Sequence, residues 1–338
     1  MSRIAVILLA VLFAAGGACV LIVLSYDAEL RRARDQAERG ARIAQTTVGP
    51  IEFAETGAGI PLLSIHGAGG GYDQGLANVA DFVGREFRVI APSRFGYLGT
   101  PVPSDPSPAA QADAHAALLT ELNVDRAIVV GISAGARSAA ELALRHPGRV
   151  AALILIVPGT YAPSSPVLVE GSRTSALVLW VVNHGADFAW WAAEKIAPSI
   201  LIRFVGVRPE LFAASSQAEQ SRVMQIVRRI KPLSRRFPGI NVDSNPDLRR
   251  PPFEKIAVPT LVISARDDLF NTLPAAEFAA TAIPNARLVV YETGGHLLVG
   301  REQEVREVVN NFLATQVSSS ALAAAATAPG RALPASGR

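Results

Sequence analysis

Gly131-Ile132-Ser133-Ala134-Gly135 is the segment of this chain best suited to nucleophilic chemistry. It follows the apolar run Ala127–Val130 and opens the Ala-rich helical pattern Ala134–Arg145, so it reads as a sharp strand-to-helix turn. Glycines two before and two after the serine permit that turn without a Cβ clash. They leave the hydroxyl exposed and the N–H of Ala134 facing a reacting carbonyl. A serine needs a base, and the base needs a group to orient it. Gly294-Gly295-His296 follows the apolar run Leu288–Tyr291, and flexible glycines let an imidazole swing towards a hydroxyl. Asp267 and Asp268 follow the run Thr260–Ser264, and the 28 residues from Asp268 to His296 suit one helix and one strand between neighbouring strand ends. Either carboxylate could fix the imidazole tautomer, be solvated, or cap the next helix. His66-Gly67-Ala68-Gly69-Gly70-Gly71 follows Leu62–Ile65, and its unobstructed N–H groups could converge on an oxyanion. A phosphate cradle is the other use of such a loop, but no G-x-G-x-x-G opens a helix and no Walker lysine follows. The chemistry indicated is acyl transfer to water, which needs no metal and no organic cofactor. His115, His146 and His184 have no comparable setting.

These groups must be held by strands and helices in alternation. Ile51–Ala54, Leu62–Ile65, Phe87–Ala91, Ala127–Ile132, Ala151–Val157, Thr260–Ser264 and Leu288–Tyr291 are short apolar runs, suited to strands buried on both faces. Helical patterns at Ala109–Leu122, Ala134–Arg145, Pro274–Ala282 and Glu302–Leu313 lie between or after them. The alternation predicts an α/β fold with a doubly wound, mostly parallel sheet. Pro158 to Ala257 interrupts it with Trp-bearing helical sequence, too long for a structureless connection, and is expected to be a helical cap at about 158–257.

With these motifs in this order, the chain resembles the α/β-hydrolase fold superfamily from roughly Val48 to Phe312. The resemblance implies a capped hydrolase domain at 47–316 with a Ser133–Asp268–His296 triad. Asp268 is favoured over Asp267 by the family pattern Gly-x-x-Asp, in which Ala265 stands in the place of glycine. It implies oxyanion donors at Ala134 and Ala68, with Gly67 or Gly69 as alternatives to Ala68, and a loop-holding role for His66. A serine nucleophile argues against the dehalogenase and epoxide hydrolase branches, which use aspartate. The expected substrate is a small apolar acyl compound, because the cap holds Leu168, Val178, Leu179, Trp180, Val181, Phe188, Trp190 and Trp191. Carbon–carbon bond hydrolases of meta-cleavage products share the glycine-rich loop but usually carry tryptophan where Leu297 follows His296. Ser93 and Arg94 sit where many relatives have an aspartate and are either scaffold or pocket wall. A catalytically silent scaffold used for binding is the alternative of another class, and a full triad in order fits it poorly.

The chain has 338 residues, half of them hydrophobic and 18% charged, with a mean hydropathy of +0.29. That balance excludes wholesale disorder. One cysteine, Cys19, excludes a disulfide framework and a cysteine-rich metal site. A net charge of +3, with no basic arm or basic–aromatic platform, gives no reason to expect nucleic acid as a partner. Ile4 to Leu24 runs 21 residues without a charge, about 31 Å as a helix against a bilayer core of about 30 Å. Residues 1–25 are therefore expected to be a retained single-pass membrane anchor. An exported chain with a cleaved signal peptide is the alternative, and a lipoprotein at Cys19 has a poor lipobox. Residues 26–46 should form a charged, solvated juxtamembrane stalk with i,i+4 pairs Asp27/Arg31, Asp35/Arg39 and Glu38/Arg42. Arginine counts on the two sides nominally favour a cytoplasmic catalytic domain, but a short N-terminal tail and interleaved acids oppose that count, and either side of the membrane stays open. Arg228, Arg229, Lys231, Arg235 and Arg236 form a basic run without acids, a solvated face or a contact for anionic headgroups. Residues 317–338 are Ala/Ser/Pro/Gly-rich and expected to be disordered.

Overall fold

The computed structural model describes residues 2–316 apart from 81, 85, 164–185 and 245–248. Expectations for Leu168, Val178, Leu179, Trp180, Val181, His184 and the 317–338 tail lie outside the described residues. Apolar side chains alternate along the central strands and sort onto two faces. From β3 (Ile60–Ile65), β5 (Ala127–Ile132), β6 (Val150–Ile156) and β7 (Thr260–Ala265), one face takes Leu63, Ile65, Val129, Leu153, Leu155 and Val262. These pack on α3 (Pro108–Glu121), α4 (Gly135–Arg145) and α10 (Leu273–Ala282). Leu62, Ile128, Val130, Ile154, Ile156, Leu261 and Ile263 face α2 (Tyr72–Ala80) and α11 (Glu302–Gln316) on the other side. Each such side chain fully removed from water contributes about 1.5–3 kcal/mol, so the two-faced burial is what holds the strands together.

With β1 (Arg42–Thr46), β2 (Gly49–Thr56), β4 (Phe87–Pro92) and β8 (Ala286–Tyr291), the eight-stranded sheet has the order β1-β2-β4-β3-β5-β6-β7-β8. β2 pairs antiparallel with β1 and β4, and every other pairing is parallel. The loops after β3, β5, β7 and β8 therefore open along one edge, where a parallel sheet places its ligands.

Between β6 and β7 the described chain forms α5 (Ala186–Ile196), α6 (Pro198–Phe204), α7 (Pro209–Ala214), α8 (Gln217–Arg229) and α9 (Phe237–Ser244), the expected helical cap. Trp190, Leu201, Val205, Val227, Ile230 and Leu233 give it a core of its own, and Trp190 Nε1 donates to Val227 O at 3.1 Å.

Three expectations for the rest of the chain are corrected. The boundary at 46/47 falls earlier, because Arg42–Thr46 is already β1. The stalk is helical as far as Glu38 and exposed over much of its length, but one side of it is packed on the domain. α1 runs unbroken over Arg3–Glu38, with Leu30 and Ala37 buried. Tyr26 lies edge-on to Phe188 and Trp191 of the cap, at ring distances of 5.2 and 5.8 Å. Of the three i,i+4 pairs, only Asp27/Arg31 is present among the described residues. The helix ends at Glu38, which pairs with Arg235, while Arg42 turns into β1 and pairs with Glu55. The basic run is not a face without acids either. Arg228 and Lys231 meet Glu194 at 2.8 and 2.6 Å, and Arg236 meets Asp73 at 2.8 Å. Lys231 and Arg236 are buried, and a charge removed from water requires a partner; the acids come from α1, α2 and α5, distant in sequence.

Candidate active site

β5 ends at Ile132 and α4 begins at Gly135, so two residues make the turn between them. Ser133 takes φ +52°, a left-handed conformation costing about 1–2 kcal/mol for a residue with a Cβ. Surrounding bonds hold it there. Its N–H donates to Ile156 O at 3.0 Å, and its carbonyl accepts from Ala136 N at 3.1 Å and Gly159 N at 2.9 Å. The flanking glycines are steric requirements, as expected. A Cβ at Gly131 would fall 2.5 Å from Ala139 Cβ, and one at Gly135 would fall 2.4 Å from His66 O. The half-buried Ser133 thus stands on a strained turn at the opening of a helix.

The loop after β3 lies against this serine: a Cβ on Gly67 would be 3.1 Å from Ser133 Cβ. His66 is fully buried and spends both ring nitrogens on the scaffold. Nε2 accepts from Arg94 N at 2.9 Å, leaving Nδ1–H to donate to Gly67 O at 2.7 Å. Burial and the Arg94 charge push its pKa well below the ordinary value, so it stays neutral. In the glycine run, Gly69 N–H donates to Tyr97 Oη at 3.3 Å and Gly70 N–H to Gly67 O at 3.3 Å. Gly67, Ala68 and Ala134 have no backbone N–H partner among the described residues. The alternatives for an oxyanion donor on this loop narrow to Gly67 and Ala68.

After β7 and β8 come the carboxylate and the imidazole. His296 Nδ1 meets Asp268 Oδ2 at 2.8 Å with both side chains buried. Asp268 also accepts from Phe270 N at 2.8 Å and from the Thr272 hydroxyl. Burial alone would raise the Asp268 carboxyl; the His296 charge and these hydrogen bonds outweigh it and hold the pKa below the ordinary value. In the neutral imidazole an ionised carboxylate here favours the tautomer with the proton on Nδ1, in which Nε2 can accept the serine proton. Asp267 takes a different task, accepting from Gly295 N at 2.7 Å and pairing with Arg208 at 2.9 Å. Both members of the Asp pair are used, one on the imidazole and one on its loop.

Sequence reasoning gave no sign of the cap's part in this arrangement. Gly206, between α6 and α7, accepts from His296 N at 3.0 Å, and a Cβ there would fall 2.4 Å from His296 Cβ. Phe270 stands edge-on to the His296 ring at 4.6 Å. A cavity of about 240 Å³ reaches His296 between Ile132, Ile156, Leu297 and Leu298 and the cap residues Arg222, Ile226 and Arg229. Among the described residues no hydrogen bond joins Ser133 Oγ to His296; such contacts commonly tighten only when substrate binds. Ser93 and Arg94 are scaffold. Ser93 Oγ donates to Glu52 at 2.6 Å, and Arg94 pairs with Asp243. His115 is buried against Ser138, its pKa pushed down to about 3 by burial.

A strained serine, a tautomer-fixed imidazole and free N–H donors on one sheet edge are the parts that acyl chemistry requires. The alpha/beta hydrolase family model matches residues 62–310, from β3 into α11. The chain belongs to this family. Among its relatives, the 2-hydroxymuconate semialdehyde hydrolase of Pseudomonas putida is 28% identical over 271 residues, 77% of this chain and 89% of that one. The pimeloyl-[acyl-carrier protein] methyl ester esterase of Aromatoleum aromaticum is 30% identical over 249 residues, covering 70% and 90%. An alpha/beta hydrolase fold protein from Nakamurella multipartita superposes with a TM-score of 0.66 at 26% identity, covering 81% of this chain and 98% of that one. The chain is thus an alpha/beta hydrolase whose relatives include carbon–carbon bond hydrolases and esterases.

Proposed function

We propose that this hydrolase, held to a membrane by α1, cleaves an ester or related acyl bond of a small apolar substrate through a serine-bound intermediate. The observation that carries the reading is the His296–Asp268 pair at 2.8 Å on the same sheet edge as the strained Ser133. Ser133 Oγ attacks the carbonyl carbon as its proton passes to His296 Nε2. The carbonyl oxygen becomes an oxyanion held by the N–H groups of Ala134 and Ala68, with Asp268 stabilising the imidazolium. Collapse expels the alcohol, which takes the proton from His296. Water then attacks the acyl group with His296 as base, releasing the acid and restoring Ser133. In the cavity that reaches His296, Ile132, Ile156, Leu297 and Leu298 support an apolar acyl group, beside the charged Arg222, Arg229 and Glu302; Ser133 is not part of that lining.

A fluorophosphonate probe tests the assignment. Expected is labelling of the wild type and none of Ser133→Ala, with ester turnover reduced at least about 10⁴-fold. Equal labelling of both, or none of a folded wild type, would overturn it. The likeness to 2-hydroxymuconate semialdehyde hydrolase favours a second reading, in which the same groups cleave a carbon–carbon bond. Turnover of a vinylogous 1,5-diketone with poor turnover of p-nitrophenyl esters would replace the first reading with the second.

A further inference from the structure

Asp243 lies on α9 in the cap, remote in sequence from Ser133 and from the glycine loop after β3. Its carboxylate is buried and collects an unusual set of donors. Arg94 Nη1 and Nη2 donate to its two oxygens at 2.9 and 2.6 Å, the Tyr97 hydroxyl donates to Oδ2, and Arg137 Nη1 lies 3.7 Å from Oδ1. Arg137 Nη1 also donates to the Asp243 carbonyl at 3.3 Å. Two arginines therefore share one buried carboxylate, so each depends on it for counter-charge. α9 comes this close because it carries glycine where it crosses the ring: a Cβ at Gly239 would fall 2.2 Å from Tyr97 Cδ2.

Each of the three side chains also bonds a backbone group of the glycine loop or of the chain behind the Ser133 turn. Arg94 Nε donates to His66 O at 2.9 Å, at the root of the glycine loop. Tyr97 Oη accepts from Gly69 N at 3.3 Å, on the far side of Ala68. Arg137 Nε donates to Gly159 O at 2.7 Å, and Gly159 N donates to the Ser133 carbonyl at 2.9 Å. Arg94 and Tyr97 thus bracket Gly67 and Ala68, and Arg137 backs the turn that presents Ser133 and the Ala134 N–H. Among the described residues, the Asp243 carboxylate is the one group that all three side chains contact.

We infer that Asp243 is a positioning residue: from the cap, through Arg94, Tyr97 and Arg137, it sets the separation between the two halves of the oxyanion pocket. The inference rests on the serine hydrolase reading. A loop free to drift would still bind substrate, but its N–H groups would meet the oxyanion poorly, and only the transition state would lose.

Two variants test this, Asp243→Asn and Tyr97→Phe. The first keeps shape but leaves Arg94 and Arg137 without counter-charge. The second removes only the hydroxyl joining Asp243 to the Gly69 N–H, and carries the test alone where the first fails to fold. With p-nitrophenyl acetate, Tyr97→Phe is expected to lower kcat about tenfold and Asp243→Asn about a hundredfold, with KM within about twofold of wild type. The second readout is inhibition by a trifluoromethyl ketone. Ser133 Oγ bonds to its carbonyl carbon, the serine proton passes to His296, and the ketone oxygen becomes the oxyanion. Ki should rise by the factor by which kcat/KM falls. Folded variants with unchanged kcat, a rise in KM alone, or a fall in kcat with unchanged Ki would each overturn the positioning role. A wild type inert to ester and ketone alike would overturn the hydrolase reading on which the inference rests, a distinguishable result.

Discussion

The two halves of α1 belong to one unbroken helix and live in different surroundings. From Ile4 to Leu24 its large apolar side chains are exposed, Phe13 by 84%, and the segment is apolar and long enough to cross a membrane. From Tyr26 onward the same helix is part of the hydrolase domain. Leu30 and Ala37 are buried, Glu29 pairs with Lys195 at 2.8 Å, and Tyr72 Oη donates to Arg39 O at 3.0 Å. No flexible linker separates the halves. On the anchored reading proposed above, the domain is fixed to its membrane segment like a blade to a handle, so the orientation of the cap follows that of the helix.

The sharpest way to break this comparison is to remove the first half alone and then both halves together. Deleting residues 2–24 should move the protein from alkaline-washed membranes to the supernatant while leaving Tm within about 2 °C of the full chain. Recovery of the full chain in the supernatant would sink the anchor. Deleting residues 2–40 should instead cost about 3–5 kcal/mol in urea unfolding, because it strips Tyr26, Leu30 and Ala37 from the cap and core. The next effect is smaller. Lys231, buried, meets Glu194 at 2.6 Å and Glu29 at 3.5 Å. Glu194→Gln should cost about 2–4 kcal/mol, since it strands most of a buried ammonium charge. A change below about 0.5 kcal/mol would mean that the junction between α1 and the cap is not held this way.

How much was legible in the sequence follows the same division between local and distant partners. β5, the Ser133 turn and the Gly294-Gly295-His296 loop carry their instructions within a few residues, and the strand over Ala127–Ile132 ends where the pattern places it. β1 was not visible because Arg42–Thr46 is an edge strand with only Ala44 buried, so it shows no apolar run. α2 was hidden by Gly75, which breaks a helical pattern but is needed where a Cβ would fall 2.9 Å from Ala91 Cβ. The separate tasks of Asp267 and Asp268 could not be read from adjacency. Nor could the Asp243 cluster, whose partners lie 106 to 149 residues away. The basic run looked solvated for that reason too, its acids arriving from α1, α2 and α5.

Acid separates the halves more gently. Burial alone would raise the Glu194 carboxyl, but hydrogen bonds from Lys231 and Arg228 hold its pKa below the ordinary value. Glu29 is lowered in the same way, hydrogen bonds from Lys195 and Trp191 outweighing burial. Because the folded values are depressed, the stabilisation is complete above the unfolded value of about 4.3 and is lost as pH falls through the folded ones. Tm should therefore fall more steeply below about pH 4.3 in the wild type than in Glu194→Gln. Membrane partition should stay flat over that range, since residues 4–24 hold no carboxylate. Parallel Tm curves would remove Glu194 from the account.

The smallest effect is expected at the Asp27/Arg31 pair, the one stalk pair that forms as the spacing predicts. It sits at 4.0 Å on the outer surface, with side chains 46% and 66% exposed. Water screens such a pair, and holding two long side chains together offsets most of what remains. Arg31→Ala should therefore change stability by less than about 0.5 kcal/mol, although Asp27 lies one residue from Tyr26 and two from Glu29. A loss above about 1 kcal/mol would mean that the outer face of α1 is buried against something in the folded assembly, and the division of the helix into one exposed and one packed half would have to be redrawn.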